Sequence, residues 1–219
     1  MAGEPPLRPA DSVSRSPADR LPRRMSSRLR KFPFLVLPLL AVFVLSACGD
    51  SHTKVTTGTY AGESGQNAPY LNVGPLVYEV QLSRELNPTN SEDSAYLQGL
   101  SESERKLAPG QEWFAVFVQV YNQTNHAYPS ATEMTISDTQ GNTYTPLVPS
   151  SINPYAYRAT LVPAKGQLPM PDTTAFFGPT QGALLLFKIQ VVSLDNRPLE
   201  LKIVDPADPS ESASAELDV

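Results

Sequence analysis

From Leu76 to Ser83 the chain reads Leu-Val-Tyr-Glu-Val-Gln-Leu-Ser, with apolar residues at every even position and Glu79, Gln81 and Ser83 facing the other way. A period of two separates the faces of a β-strand, so this stretch predicts a half-buried strand. Glu112 to Tyr121 predicts a second. It is apolar on both faces through Trp113-Phe114-Ala115-Val116-Phe117-Val118, as a strand at the centre of a sheet would be. Thr132–Asp138 and Thr143–Thr145 flank Asp138-Thr139-Gln140-Gly141-Asn142, a hairpin in which Gly141 and Asn142 are available for positive φ. Further strands are expected at Tyr157–Val162, Ala183–Val192 and Leu199–Val204, with an edge strand at Ala213–Leu217. In Leu199–Val204 the residues Leu199, Leu201 and Ile203 share one face, and Glu200 and Lys202 the other.

Only one stretch reads as a helix. Asn90 or Ser91 caps it, Glu92 and Asp93 suit the positive end of its dipole, and Gly99 ends it about two turns on. Short strands with Pro- and Gly-rich turns and almost no helix predict an all-β chain, an antiparallel β-sandwich over residues 71–219. About 150 residues bury a sizeable core without staples, so a single cysteine is no obstacle.

The amino end obeys a different logic. Arg28, Arg30 and Lys31 precede an apolar run from Phe32 to Leu45, which ends in Leu45-Ser46-Ala47-Cys48. As a helix its 14 residues would span about 21 Å, short of the roughly 30 Å hydrocarbon core. A basic stretch, a short apolar run and small residues after it make a secretory signal peptide. Leu45-Ser46-Ala47-Cys48 resembles the lipobox of bacterial lipoproteins, whose cysteine sulfur takes a diacylglyceryl group before cleavage. Cys48 is the one cysteine in the chain, so the resemblance assigns it to lipid attachment. Stable anchoring needs two or more acyl chains, which such a lipid supplies. Residues 1–47 are therefore expected to be a signal-peptide region, with Met25 as the natural start of an ordinary one. Residues 48–70 are expected to be the lipidated cysteine and a flexible tether, because Gly49–Pro69 has hardly any apolar content. His52 lies in that tether.

Charge narrows the partners. Residues 1–31 hold eight basic and three acidic side chains, which leaves 17 − 8 = 9 basic and 22 − 3 = 19 acidic in the remainder. A body so acidic lacks the clustered Lys and Arg that nucleic acid requires. One cysteine excludes a disulfide framework and a Cys-based zinc site.

The succession Gly110-Gln111-Glu112-Trp113-Phe114-Ala115-Val116-Phe117-Val118-Gln119-Val120-Tyr121-Asn122, followed by Ile136-Ser137-Asp138-Thr139-Gln140-Gly141-Asn142-Thr143-Tyr144, resembles the immunoglobulin-like (telokin-like) domain of unknown function found in many bacterial surface lipoproteins. There a strand ending in Asn precedes a hairpin of the type D-x-x-G-x-x-Y. Leu185–Ile189 and Arg197–Leu201 are similar to its last strands. The resemblance runs from about Leu71 to the end and implies an immunoglobulin-like β-sandwich. Its motifs are structural and bring no catalytic residues.

Chemistry is thinly provided. His126 is the one histidine on the expected domain, in a polar turn without a nearby orienting carboxylate, and no Gly-x-Ser-x-Gly elbow is present. Copper would suit His126, Met134 and Met170, but no His-x-Met or Met-x-Met pair brings soft ligands together. Met134 reads as core and Met170 as a loop residue. Glu92-Asp93 is better explained by the helix dipole than by glycoside hydrolysis. Asp138 lacks the run of oxygen ligands of a calcium loop. No catalytic residue, metal or cofactor is expected. What remains is the irregular segment Pro163–Gln181, where Phe176 and Phe177 either anchor a partner or cap the open end of the sandwich. The expected role is a non-enzymatic interaction domain, lipid-anchored at the outer face of the cytoplasmic membrane and meeting another envelope protein. The alternative is a metal- or small-ligand-binding lipoprotein of the metallochaperone kind.

Overall fold

The computed structural model describes residues 53–56 and 70–217. The signal-peptide region, the Met25 start, Cys48 and most of the tether, His52 included, lie outside them.

Strand β2 (Tyr70–Val73) turns directly into β3 (Leu76–Leu86) through Gly74-Pro75. Gly74 has φ +53, and a Cβ there would meet the Asp205 carboxylate at 2.0 Å, so both backbone and space require glycine. Strand β3 then pairs antiparallel with β4 (Gln111–Tyr121). Val80 lies opposite Val118 and Leu82 opposite Phe117, which leaves Gln81 as the extra residue of a β-bulge. One inserted residue exchanges the faces of everything after it. Leu76, Tyr78 and Val80 therefore point into one core, whereas Leu82 and Leu86 point into another. The unbroken even-position face expected from Leu76 to Leu82 is corrected here, because Leu82 lies on the opposite side of the sheet.

Two sheets form the sandwich. One runs β10 (Ala183–Gln190), β4, β3, β2, with β9 (Gln167–Leu168) pairing the end of β4 beyond β10. The other runs β1 (Thr53–Thr56), β12 (Ser212–Leu217), β11 (Leu199–Val204), β6 (Met134–Ser137), β7 (Thr143–Tyr144). A small third pairing joins β5 (Tyr128–Pro129) to β8 (Leu161–Val162). Among the described residues the strands pair antiparallel except β1 with β12, and one isolated bridge, Ala156 to Leu184, is also parallel. The expected all-β sandwich is thus present. Strand β11 has its expected bounds, and Leu199, Leu201 and Ile203 are fully buried between the sheets. The strand expected at Tyr157–Val162 shrinks to β8. Strand β10 stops at Gln190, where Val191–Leu194 turn into a 3-10 helix. Strand β12 is interior rather than at an edge. Thr53–Thr56, part of the expected tether, run alongside it in register with Ser212–Ala215.

The β10–β4–β3 sheet is buried on both faces. Between the sheets lie Phe114, Val116, Phe187 and Ile189 with their partners from β11 and β12. On the outer face Trp113, Phe117, Leu184 and Leu186 pack under Tyr96, Leu97 and Leu100. That cover comes from the last residue of α1 (Ser91–Tyr96) and the turn between it and α2 (Glu102–Arg105), so the single expected helix becomes two, with a third, α3 (Thr174–Phe177), later in the chain. Asn90 caps α1, accepting from the backbone N–H of Glu92 and Asp93. Asp93 serves more than the dipole. It is buried, pairs with Arg84 of β3 at 2.5 Å and accepts the Asn87 N–H at 2.8 Å. Burial opposes its charge, but Arg84 and that N–H outweigh the penalty and hold the carboxyl below its usual range. Ser101 and Glu104 form a reciprocal capping box on α2.

Between the sheets Tyr78 and Tyr157 clamp one residue, Ala131, by its two flanking peptides. The Ala131 N–H donates to the Tyr78 hydroxyl at 2.6 Å, and the Tyr157 hydroxyl donates to the Ala131 carbonyl at 2.9 Å. Burial pushes the Tyr78 hydroxyl up to about 12, so the clamp keeps its protons at physiological pH.

Candidate functional site

The residues that carry the family resemblance are occupied in holding the fold. The Asp138 carboxylate accepts from the backbone N–H of Gln140 and Asn142, both at 2.9 Å, from Asn142 Nδ2 at 2.7 Å, from Ser193 Oγ at 2.7 Å and from Asn196 Nδ2 at 3.4 Å. Ser193 spends its proton on Asp138, so the Tyr144 hydroxyl donates to Ser193 Oγ at 2.7 Å. Asp138 and Tyr144 are therefore two ends of one chain that ties the β6–β7 hairpin to the 3-10 helix. Burial acts to raise the Asp138 pKa, but the donors from Asn142, Ser193 and Asn196 hold it far below the usual carboxylate range. Gly141, at φ +84, supplies the positive φ expected of the turn. Asn122 is equally committed: Nδ2 donates to the carbonyls of His126 and Val162, and Oδ1 accepts from the backbone and hydroxyl of Thr124.

The candidates for metal and acid–base chemistry stay apart. Met134 is sealed between the sheets. His126 is exposed, and among the described residues only its backbone hydrogen-bonds. Met170 is 44% exposed and lies against a different part of the surface. Glu92 and Asp93 both face Arg84, the buried Asp93 at 2.5 Å and the more exposed Glu92 at 3.9 Å, and Glu92 also accepts from the Tyr96 hydroxyl at 3.3 Å.

Pro163–Gln181 is more ordered than an irregular loop suggests. Strand β9 and α3 both lie within it, and the Gly182 N–H donates to the Ala175 carbonyl at 3.1 Å. Phe176 is half-buried, and Phe177 is 70% exposed. Their rings meet edge to face with centroids 4.7 Å apart. Phe177 therefore caps nothing, and of the two expected roles the capping one fails for that side chain.

Beside α3 lies a cleft of about 410 Å³. Its deepest lining, Leu168, Pro169, Ala175 and Ala183, is buried and apolar, whereas Met170, Arg158 and Thr160 form its exposed edge. The opposite wall is the stretch from Ser151 to Tyr157. Backbone pairing with β10 fastens that wall: the Tyr157 N–H donates to the Leu184 carbonyl, and the Leu184 N–H to the Tyr155 carbonyl, both at 2.8 Å. Asn153 locks its other side, donating to the carbonyls of Tyr96 and Gln98 and accepting the N–H of Tyr155 and Ala156. Arg158 Nη2 donates to the carbonyls of Pro149 and Ser150 at 3.0 and 2.6 Å.

Sequence reasoning did not single out this wall or Arg158. A signal was present: Pro149, Ile152 and Pro154 interrupt a polar run that is too long for a turn. Ile152 and Val148 are 75% and 66% exposed there, and both border a second, shallower depression beside α2. Fold and site together define a two-sheet β-sandwich with an apolar-floored recess built by two loops against one sheet.

No protein-family model matches the chain, and no curated protein matches it. Solved structures offer distant likenesses. A candidate lipoprotein from Bacillus subtilis, ycdA, is 11% identical with a TM-score of 0.44, over 71% of this chain and only 39% of that one. The yjhA protein of Bacillus subtilis is 9% identical with a TM-score of 0.47, over 72% of this chain and 99% of that one. An uncharacterized β-sandwich protein from Clostridium difficile 630 is 6% identical with a TM-score of 0.39, over 74% and 95%. Likenesses this distant carry no argument about function.

Proposed function

We propose that the chain is exported, cut before Cys48 and held by lipid on that cysteine at the outer face of the cytoplasmic membrane, where its sandwich serves as a non-catalytic interaction domain. One observation carries the reading: Leu45-Ser46-Ala47-Cys48 stands directly behind a short apolar run, and its cysteine is the chain's only one. The interaction role is supported by Phe177, an aromatic held out from an ordered helix, as partner-binding anchors are. It is supported also by the commitment of the Asp138 and Asp93 carboxylates to structural contacts, which leaves little acid–base material. The partner is expected to be another envelope protein.

The test joins metabolic labelling with an alkyne palmitate to crosslinking and recovery from intact cells. The wild-type chain takes label and recovers one envelope partner, and Cys48→Ser takes none. The double variant Phe176→Ala, Phe177→Ala takes label but loses the partner. An unlabelled wild-type chain sinks the anchor, and a partner retained by the double variant sinks the proposed face. A second reading, a small-ligand-binding lipoprotein, is favoured by the cleft, whose volume falls within the range of about 300–1,000 Å³ typical of ligand sites. The metal-binding form of that reading has less behind it, because Met134 is enclosed in the core and His126 does not line the cleft.

A further inference from the structure

We infer that the cleft between the Ser151–Tyr157 wall and α3 is a binding site for a small amphipathic anion, a carboxylate carried on an apolar body. Its floor is apolar and buried, and Met170 at its edge is a flexible thioether that adapts to the shape of an apolar guest. The head of the ligand is specified by Arg158. It is the one charged residue among those that line the cleft, and no Asp or Glu shares the lining. None of the ion pairs among the described residues involves it. Two backbone carbonyls fix Nη2, and these dipoles orient the guanidinium without neutralising it. Nε and Nη1 make no hydrogen bond among the described residues. With Nη2 taken by the two carbonyls, the guanidinium is held in one orientation and still offers Nη1 for a single charge-assisted hydrogen bond to a carboxylate, and little ordering entropy is lost when the carboxylate arrives. The surroundings make this cation informative. In a body with nine basic and 19 acidic side chains, an arginine without a carboxylate neighbour beside an apolar recess is a charge left available for a guest.

The size of the cleft argues for a small molecule rather than a protein surface, since stable protein interfaces bury on the order of 1,200 Å² or more. The inference does not depend on the lipid anchor or on the Phe177 face, and its test leaves both aside. The full chain is placed in phosphatidylcholine nanodiscs and titrated with para-fluorophenylacetate by fluorine NMR. The uncharged para-fluorophenylacetamide serves as the matched probe, and empty discs correct for partition. The acid is expected to saturate a single site and to bind about tenfold more tightly than the amide, the value of one charge-assisted contact. Arg158→Gln removes that difference, and Arg158→Lys retains part of it, each variant being checked for native circular dichroism. Ala175→Leu, which fills the floor, weakens both probes. Equal binding of acid and amide, a preference that survives Arg158→Gln, or no saturable binding beyond empty discs would each overturn the inference. Recovery of a protein partner through Phe177 would be unaffected in every case.

Discussion

Asp138 shows how one side chain decides between chemistry and structure. A carboxylate that accepts five hydrogen bonds has no oxygen lone pair left for calcium or for a substrate proton. Its energetic role has a definite sign. The folded-state pKa is depressed below the ordinary value of about 4. The stabilisation is therefore complete above that value and is lost as pH falls toward the folded-state one. Asp138→Asn turns an acceptor into a donor among donors and is expected to cost about 2 kcal/mol at neutral pH. Urea unfolding at neutral and at acid pH checks the assignment. The gap between wild type and variant is widest at neutral pH and narrows as the medium becomes acidic. A gap of constant width would mean that the ionised carboxylate is not what holds the hairpin to the 3-10 helix.

Strand β3 carries the argument at the scale of an element. Gln81 has no partner on β4, so the strand serves the inter-sheet core before it and the outer core after it. Deleting Gln81 removes only the extra residue: Leu82 then follows Val80 directly, stays opposite Phe117 and keeps facing the outer core. The deletion is therefore expected to keep a cooperative unfolding transition in denaturant and to cost about 1–3 kcal/mol through the lost local twist. Gln81→Ala keeps the bulge and costs about 1 kcal/mol or less. Loss of the cooperative transition in the deletion variant would show that the β3–β4 pairing alone does not hold the faces after the bulge. The same strand marks the limit of what alternation reveals. Period two announced β3 and β11, and an unbroken apolar run announced β4, since burial on one or two faces writes itself into the residue pattern. A bulge leaves no such mark, because Gln81 looks like any outward polar residue. Helix α2 was hidden by its brevity, and β1 by having a single apolar residue, Val55, as it joins the sheet through backbone pairing. Phe176 and Phe177 were visible as aromatics in an irregular loop, yet only packing reveals that one is half-buried and the other stands out. Arg158 was unremarkable in sequence, because its meaning lies in the carbonyls and apolar floor around it.

At the scale of the whole molecule, the β10–β4–β3 sheet serves as a shared wall between two cores of different construction. The inter-sheet core is closed by continuous strands from both sheets. The outer core is closed by short helices and loops: Tyr96 lies edge-on to Phe117 and to Tyr155, with ring centroids 5.1 and 4.9 Å apart, and Arg84 sits over its face. Helices of four and six residues have almost no stability of their own, so this cover exists because Tyr96, Leu97 and Leu100 are buried. Asn153 links the cover to the wall of the cleft through the carbonyls of Tyr96 and Gln98. Loosening the cover should therefore loosen the cleft while the sandwich persists. Leu100→Ala removes apolar contacts at the edge of the outer core and is expected to cost about 2–3 kcal/mol. Native-state hydrogen exchange tells which units share that loss. Amides of α1, α2 and the stretch from Ser150 to Tyr157 are expected to lose protection together, and those of β11 and β12 to follow only the global change. If every amide lost protection equally, the two cores would be one cooperative unit, and the cleft would be as rigid as the strands on which it rests.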